Sequence, residues 1–420
     1  MTTIQHISFE DLKSKYQTPL YIYDEAAIRK QCKVFINKFR HPKVSSNVIY
    51  ASKAFLTIAM AQLVMSEGLH LDCVSQGELY TALKAGFPVE KIVLHGNNKT
   101  KDELLMALNF RVGTIIVDND YEASILNEIV NDKYKVNVML RVNPGIDAHT
   151  HKYIKTSTLD SKFGMSILDP RTKETIKLLN DNPNINFLGT HSHIGSQILE
   201  EHSFYDHAIT ILKFYKEIKE FYQIDLKAVN LGGGFGVKYI KSDTRLDLNK
   251  VLPELLEIVY QTANSLEISV PHVYIEPGRS IVAEAGYTLY TVNQIKETIN
   301  KKKYLFIDGA MNDHMRTALY QAKYDAFIVG KEDMVHDTTY TVAGKACESG
   351  DIIIEDILLP DAKPDDLLVV RTTGAYHYSM ASHYNRLTIP PVIFVKDGQS
   401  KVVVRKESFM DLLSHDEALV

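Results

Sequence analysis

Ile49-Tyr50-Ala51-Ser52-Lys53 is a short apolar strand pattern ending on a lysine, and it is the first of eight such runs in the chain. A lysine at the end of one isolated strand is more often a solvated terminus than a reactive group. The seven later runs lie at 69–73, 92–94, 114–117, 136–142, 187–191, 228–231 and 273–275, with helix-length amphipathic segments between most of them. Ser75 with Glu78 and Thr100 with Glu103 read as capping boxes, Gly86 and Pro88 stop the first of those helices, and Asp169-Pro170 opens another. Between 143 and about 166 runs a polar stretch without helical period, a length that in a compact domain is usually functional. Strand-helix alternation means parallel strands, and eight units over about 250 residues predict a closed (β/α)8 TIM barrel.

Outward from the barrel the character changes. Beyond Gly286 the chain has strand-like runs at 326–329, 352–354 and 367–370, and a hairpin in which Asp397-Gly398 joins 392–395 to 402–404. Leu20-Tyr21-Ile22-Tyr23 is a strand with no barrel helix before it, so it is expected to join this second domain. The expected organisation is a barrel over 28–286 and a discontinuous β-sandwich or barrel-like domain made of 1–27 and 287–420. With 45% hydrophobic and 24% charged residues the composition is that of a soluble globular protein. A net charge of −5, with basic residues scattered apart from Lys301-Lys302-Lys303, argues against nucleic-acid binding. No apolar run reaches membrane-spanning length, residues 1–16 hold no signal-peptide core, and three distant cysteines fit a reducing compartment. The expectation is a cytoplasmic protein without a membrane partner.

In a TIM barrel the site lies at the C-terminal ends of the strands. The polar residues at or just past those ends are Lys53, Asp72, Ser75, His95, Arg141, His193, Ser196, Gly232-Gly233-Gly234, Glu276 and Arg279. The glycine cluster after the seventh strand allows backbone N–H groups to approach a phosphate, although a glycine cluster alone is more often a tight turn. Val237 stands where a dinucleotide fingerprint needs its third glycine. Arg279 adds a guanidinium for phosphate and Ser196 a hydroxyl. A lysine, a phosphate cradle, an acid and a histidine together imply pyridoxal 5′-phosphate, with Lys53 as Schiff-base amine and Glu276 beside the pyridine nitrogen. Glu276 could instead pair with Arg279, and His193 either stacks on the cofactor ring or packs as an ordinary barrel histidine. A competing reading takes His191-Ser192-His193, His149-Thr150-His151 and Glu276 as the zinc ligands of a barrel hydrolase.

The ordered motifs extend over essentially the whole chain. They include Thr18-Pro19-Leu20-Tyr21-Ile22-Tyr23-Asp24, Tyr50-Ala51-Ser52-Lys53-Ala54, Gly77-Glu78-Leu79, His95-Gly96-Asn97-Asn98-Lys99 and Ser161-Lys162-Phe163-Gly164. They continue with His193-Ile194-Gly195-Ser196-Gln197, Gly232-Gly233-Gly234-Phe235-Gly236, Glu276-Pro277-Gly278-Arg279, Cys347-Glu348-Ser349-Gly350-Asp351 and Gly374-Ala375-Tyr376. In these the chain resembles the fold-type III pyridoxal-phosphate-dependent amino-acid decarboxylases.

The resemblance implies a cofactor-binding set of Lys53, Asp72, His193, Ser196, Gly232, Gly233, Gly234, Glu276, Gly278, Arg279 and Tyr376. It implies catalytic roles for Lys53 and His193, and for Cys347 as the acid that reprotonates the carbanion, supplied by the second subunit of a homodimer with shared active sites. For Cys347 the residue alone reads as a structural thiol, and only the motif overturns that. Arg279, Arg316, Tyr320, Glu348 and Tyr376 fall at substrate positions. An amino-acid substrate with a second amino-acid end, such as meso-diaminopimelate, needs an acid for its distal ammonium and a cation for its distal carboxylate, which Glu348 and Arg316 can supply. An ornithine or arginine decarboxylase would share every cofactor residue, and Arg316 argues against it. Phe55, Lys345-Ala346 and Leu387-Thr388-Ile389-Pro390 depart from the commoner pattern without removing any of these groups.

Overall fold

In the computed structural model, which describes residues 2–145 and 161–419, the eight runs become eight parallel strands. They are β1 Ser46–Ala51, β2 His70–Cys73, β3 Ile92–Leu94, β4 Thr114–Val117, β5 Val136–Asn143, β6 Ile185–His191, β7 Ala228–Asn230 and β8 His272–Ile275. Neighbours pair in chain order from β1 to β5 and from β6 to β8, β5 pairs with β6, and β8 returns to β1 with Val273 opposite Ser46. The sheet therefore closes on itself as the expected TIM barrel. Helices between the strands start where side chains cap them: Thr57, Ser75, Thr100, Asn119, Asp169 and Asp247 each accept a hydrogen bond from a first-turn N–H. Thr100 and Glu103 form the full reciprocal box. Ser75 and Glu78 form half of theirs, because the Glu78 carboxylate accepts from Val74 N–H (2.6 Å).

Side chains alternate between the two faces of a strand, so residues two apart share the barrel interior. Ile49, Val93, Ile116, Met139 and Ala228 form one buried apolar cluster, against which Leu188 and Tyr274 pack. Two residues further along those strands stand Ala51, His95, Asp118, Arg141, Asn230 and Glu276. An apolar layer thus carries a polar layer above it on the C-terminal side. On β6 the step from Leu188 to His191 is three residues, and the register with β5 shifts between Phe187 and Gly189. The bulge is possible because Gly189 has φ +149° and a Cβ there would collide with the Ala228 carbonyl.

The barrel belongs to a unit of Lys30–Val237 and Arg245–Ser280; a second unit comprises Met1–Arg29, Lys238–Thr244 and Ile281–Val420. The second unit is built on one mixed nine-stranded sheet. Its long central strand Gly286–Glu297 is flanked by Lys303–Ile307 and by Leu20–Asp24, and Leu20–Asp24 in turn runs parallel to Val392–Lys396. The expected hairpin is present, with Val392–Lys396 antiparallel to Gln399–Val404. One buried cluster centred on Tyr290, Leu305, Val342 and Leu368 and another on Phe9, Leu20, Leu289 and Ile393 hold the sheet. The polar stretch after Asn143 gives a two-residue strand, Met165–Ser166, paired to the end of β5; its 146–160 portion lies outside the described residues. Among the described residues no helix is long and apolar enough to cross a membrane.

Gly189→Ala is expected to destabilise the protein by at least about 2 kcal/mol, since it combines a backbone collision with a strained φ. Urea denaturation reads this directly, and an unchanged midpoint would mean the bulge does not need glycine.

Candidate active site

The polar layer converges on Glu276, which follows β8 and is 8% exposed. Its Oε1 accepts from His95 Nε2 (2.7 Å) and from Asn230 Nδ2 (2.7 Å), and its Oε2 accepts from His191 Nε2 (3.1 Å). Burial alone would raise Glu276, yet the facing rings of His95 and His191 hold its carboxyl well below the usual carboxylate range. Asp72, two residues beyond His70 on β2, is also buried, and its Oδ1 has no hydrogen-bond partner among the described residues. Burial pushes Asp72 up to about 7, opposed by His95 and reinforced by Glu276. Two neighbouring carboxyls are thereby driven in opposite directions.

Lys53 sits in the single 3-10 turn Ser52–Ala54 that follows β1. Its neighbours Ser52 and Ala54 are fully buried, whereas Lys53 is exposed and its amine has no partner among the described residues. His193 lies against Gly232, where any Cβ would meet the His193 ring and the Ser192 carbonyl. Burial first, then the charges of Lys53 and Arg141, push His193 well below its ordinary value, so its ring is neutral.

The three expected phosphate elements come together within the barrel unit. The loops after β6 and β7 are zipped by Ile198 N–H to the Gly234 carbonyl (2.9 Å) and Gly236 N–H to the Ile198 carbonyl (2.9 Å). Gln197 reinforces them through Val237, accepting from its N–H (3.1 Å) and donating to its carbonyl (2.5 Å). Gly234, at φ +105°, comes so close to the Gly195 carbonyl that no side chain fits. Arg279 Nη2 donates to Ser196 Oγ (2.8 Å), joining the segment after β8 to the same place. Ser280, beside Arg279, is buried with its hydroxyl unpartnered among the described residues. A glycine-lined cradle with a guanidinium, a hydroxyl and an unsatisfied buried hydroxyl suits a phosphate, and the ionised Glu276 suits a protonated pyridine. The residues present fit pyridoxal phosphate.

Sequence reasoning missed Asn230, Asp118 and Ser280. Asn230 bridges two functions, donating to Glu276 while accepting the Gly232 N–H (2.9 Å), and its position two residues beyond Ala228 on the interior face is the signal that finds it. Asp118 accepts the Gly164 N–H at 3.2 Å, which ties the Ser161-Lys162-Phe163-Gly164 motif to the end of β4. For the zinc reading, His149 and His151 lie outside the described residues. His95, His191 and Glu276 bring ligand-type atoms within 4.8 Å of one another, but at the spacing of direct hydrogen bonds between ring and carboxylate.

In the second unit Cys347 and Glu348 stand exposed on a turn. Asp351 shapes that turn by accepting the N–H groups of Ala346 (2.7 Å) and Met311 (2.6 Å), and Asn385 Oδ1 accepts the Cys347 N–H (2.7 Å). Arg316 differs from both: it is 6% exposed and faces no carboxylate among the described residues. Its guanidinium lies over the Tyr320 ring (5.1 Å) and the Tyr376 ring (5.3 Å).

Residues 25–283 match the family described as pyridoxal-dependent decarboxylase, pyridoxal binding domain. The chain is 46% identical to the diaminopimelate decarboxylase of Bacillus subtilis, over 96% of this chain and 92% of that one. It is 44% identical to the Staphylococcus aureus diaminopimelate decarboxylase, over 99% and 97%. Among solved structures it is similar to the diaminopimelate decarboxylase of M. jannaschii in co-complex with L-lysine, with a TM-score of 0.91, 31% identity and coverage of 97% and 94%.

Behind the site, His207 on helix Glu201–Tyr222 is 1% exposed, with Nε2 2.6 Å from Ser192 Oγ. Burial lowers it to about 3. A histidine depressed in the folded state contributes stability that is complete above its unfolded value of about 6.5 and is lost as pH falls toward the folded one. The stability gap between the natural protein and His207→Gln should therefore narrow between pH 7.5 and 5, as read from urea midpoints. A gap that does not change with pH would show that His207 is not held neutral.

Proposed function

This chain belongs to the pyridoxal-dependent decarboxylases, and among them to the diaminopimelate decarboxylases, and from that premise we propose that it decarboxylates meso-diaminopimelate to L-lysine in amino-acid biosynthesis. The observation that carries the substrate assignment is Arg316, a buried guanidinium without a carboxylate partner among the described residues. A buried cation in that state calls for an anionic ligand group, and a substrate with no distal carboxylate would leave it unpaired.

Pyridoxal phosphate, when bound, supplies the electron sink for the pair left behind as CO2 departs. Lys53 would hold the cofactor through its amine. Glu276, kept anionic by His95, Asn230 and His191, would hold a proton on the pyridine nitrogen of the bound cofactor. His193, neutral, would pack against the bound cofactor without adding charge. The phosphate would be held by Ser196, Arg279, Ser280 and the Gly232-Gly233-Gly234 segment, in which Gly232 N–H is held by Asn230 and the N–H groups of Gly233 and Gly234 would face the anion; Asp72, Gly278 and Tyr376 are the remaining proposed cofactor residues. The Cys347 thiol, from the second subunit of a homodimer, delivers its proton to the carbon that lost CO2. Glu348 takes the distal ammonium, Arg316 the distal carboxylate, and Tyr320 and Tyr376 flank them. The free amine of Lys53, the cradle geometry and the exposure of Cys347 on a shaped turn support these roles.

CO2 release from purified protein with added cofactor, on meso-diaminopimelate, ornithine and arginine in parallel, tests the reaction. Release from meso-diaminopimelate alone with lysine as product is expected; release only from ornithine or arginine would overturn the role of Arg316. Cys347→Ala should slow turnover by about 10²–10⁴-fold while leaving the visible band of the bound cofactor intact. Lys53→Ala should abolish that band. Near-normal turnover in the first variant, or a retained band in the second, would remove that residue from the scheme.

A further inference from the structure

We propose that Tyr324 is the positioning residue of the distal-carboxylate subsite, fixing the guanidinium of Arg316 in the one orientation that presents both terminal nitrogens to a carboxylate. The inference rests on the reading of Arg316 as the carboxylate's partner. Arg316 Nε donates to Tyr324 Oη at 2.9 Å, and both residues are buried, at 6% and 3% exposure. The rings of Tyr320 and Tyr376, 5.1 and 5.3 Å from the guanidinium carbon, restrict motion out of its plane. Rotation within the plane is left to the bond at Nε. A guanidinium with Nε taken keeps the parallel N–H pair that matches a carboxylate edge, and bidentate pairing depends on that fork being aligned beforehand.

Tyr324 can serve as a fixed point because its own ring is wedged. Ring centroids of His314, His377 and Tyr239 lie 4.6, 5.2 and 5.3 Å from it. His314 is fully buried, and burial together with the nearby Arg316 pushes it down to about 3, so this ring sets no competing charge behind the arginine. The hydroxyl of Tyr324 supplies direction, while the charge is all Arg316's.

The test uses the cofactor-loaded enzyme and three small molecules: meso-diaminopimelate, L-lysine, which keeps the distal carboxylate, and cadaverine, the same diamine skeleton without it. Tyr324→Phe removes one oxygen and keeps the ring. A hydrogen bond to a charged group corresponds to about 10- to 100-fold. The KM for meso-diaminopimelate and the inhibition constant of L-lysine should rise together by about that factor, with kcat changed less than about threefold and inhibition by cadaverine unaltered. Unchanged lysine inhibition, or an equal loss for lysine and cadaverine, would overturn the proposal. Arg316→Met separates the two readings. If it leaves lysine inhibition intact, the assignment of Arg316 itself fails; if it abolishes lysine inhibition while Tyr324→Phe does not weaken it, only the positioning role fails. Should the Phe protein not fold, Tyr324→His keeps a ring acceptor for Nε, and lysine inhibition lost in it as fully as in Arg316→Met would count against the proposal.

Discussion

A carboxylate inside a protein stays ionised only when donors replace the water it has lost, and Glu276 has three of them on its two oxygens. Each donor comes from a different strand: His95 from the end of β3, His191 from β6 and Asn230 from β7. Their meeting requires a closed barrel in which every strand has the right register, since a slip of one residue would turn each of these groups to the outside. The β6 bulge at Gly189 belongs to this requirement, because it changes a step of two into a step of three and brings His191 to the level of the others.

The same polar layer separates its acids by environment. Asp72 and Glu276 influence one another, yet Glu276 has two imidazoles against it and Asp72 has an oxygen with no donor among the described residues. One is an anion ready to face a cation; the other is held close to its titration point at neutral pH. A pair of carboxyls with unlike proton affinities is how a single pocket can both stabilise positive charge and exchange protons. Burial lowers His191 to about 3 and pushes His193 well below its ordinary value, so these two rings add no positive charge to the site.

Much of this was legible before any coordinates. Lys53, Asp72, His95, Arg141 and Glu276 occupy strand ends, and the eight strand patterns are short, apolar and regularly separated, so the barrel and its rim follow from periodicity alone. Asn230 and Ser280 escaped because an asparagine before glycines and a serine after an arginine read as turn and cap chemistry until the interior face is known. Asp351 acts through a bond to Met311, 40 residues away in the chain, and Tyr324 through Arg316, 8 residues away with no single helix or strand spanning the two, and local pattern carries no such information. Cys347 is the opposite case: nothing in the residue or its spacing marks it in the sequence, and only the surrounding motif does. Glu78 illustrates a smaller limit, since a capping-box pattern fixes the residue types but leaves open which N–H the carboxylate reaches.

The strand Leu20–Asp24 lies between Gly286–Glu297 and Val392–Lys396, so a segment that precedes the barrel is completed by neighbours that follow it. The barrel's own pairings span shorter separations, apart from the closing contact of β8 with β1. The barrel unit, which ends at Ser280, can therefore assemble before either neighbour of Leu20–Asp24 has emerged. Chains rich in such distant pairings fold slowly and expose strand edges meanwhile. Completion of this sheet waits for Val392–Lys396, and removing that strand would leave one edge of Leu20–Asp24 unpaired.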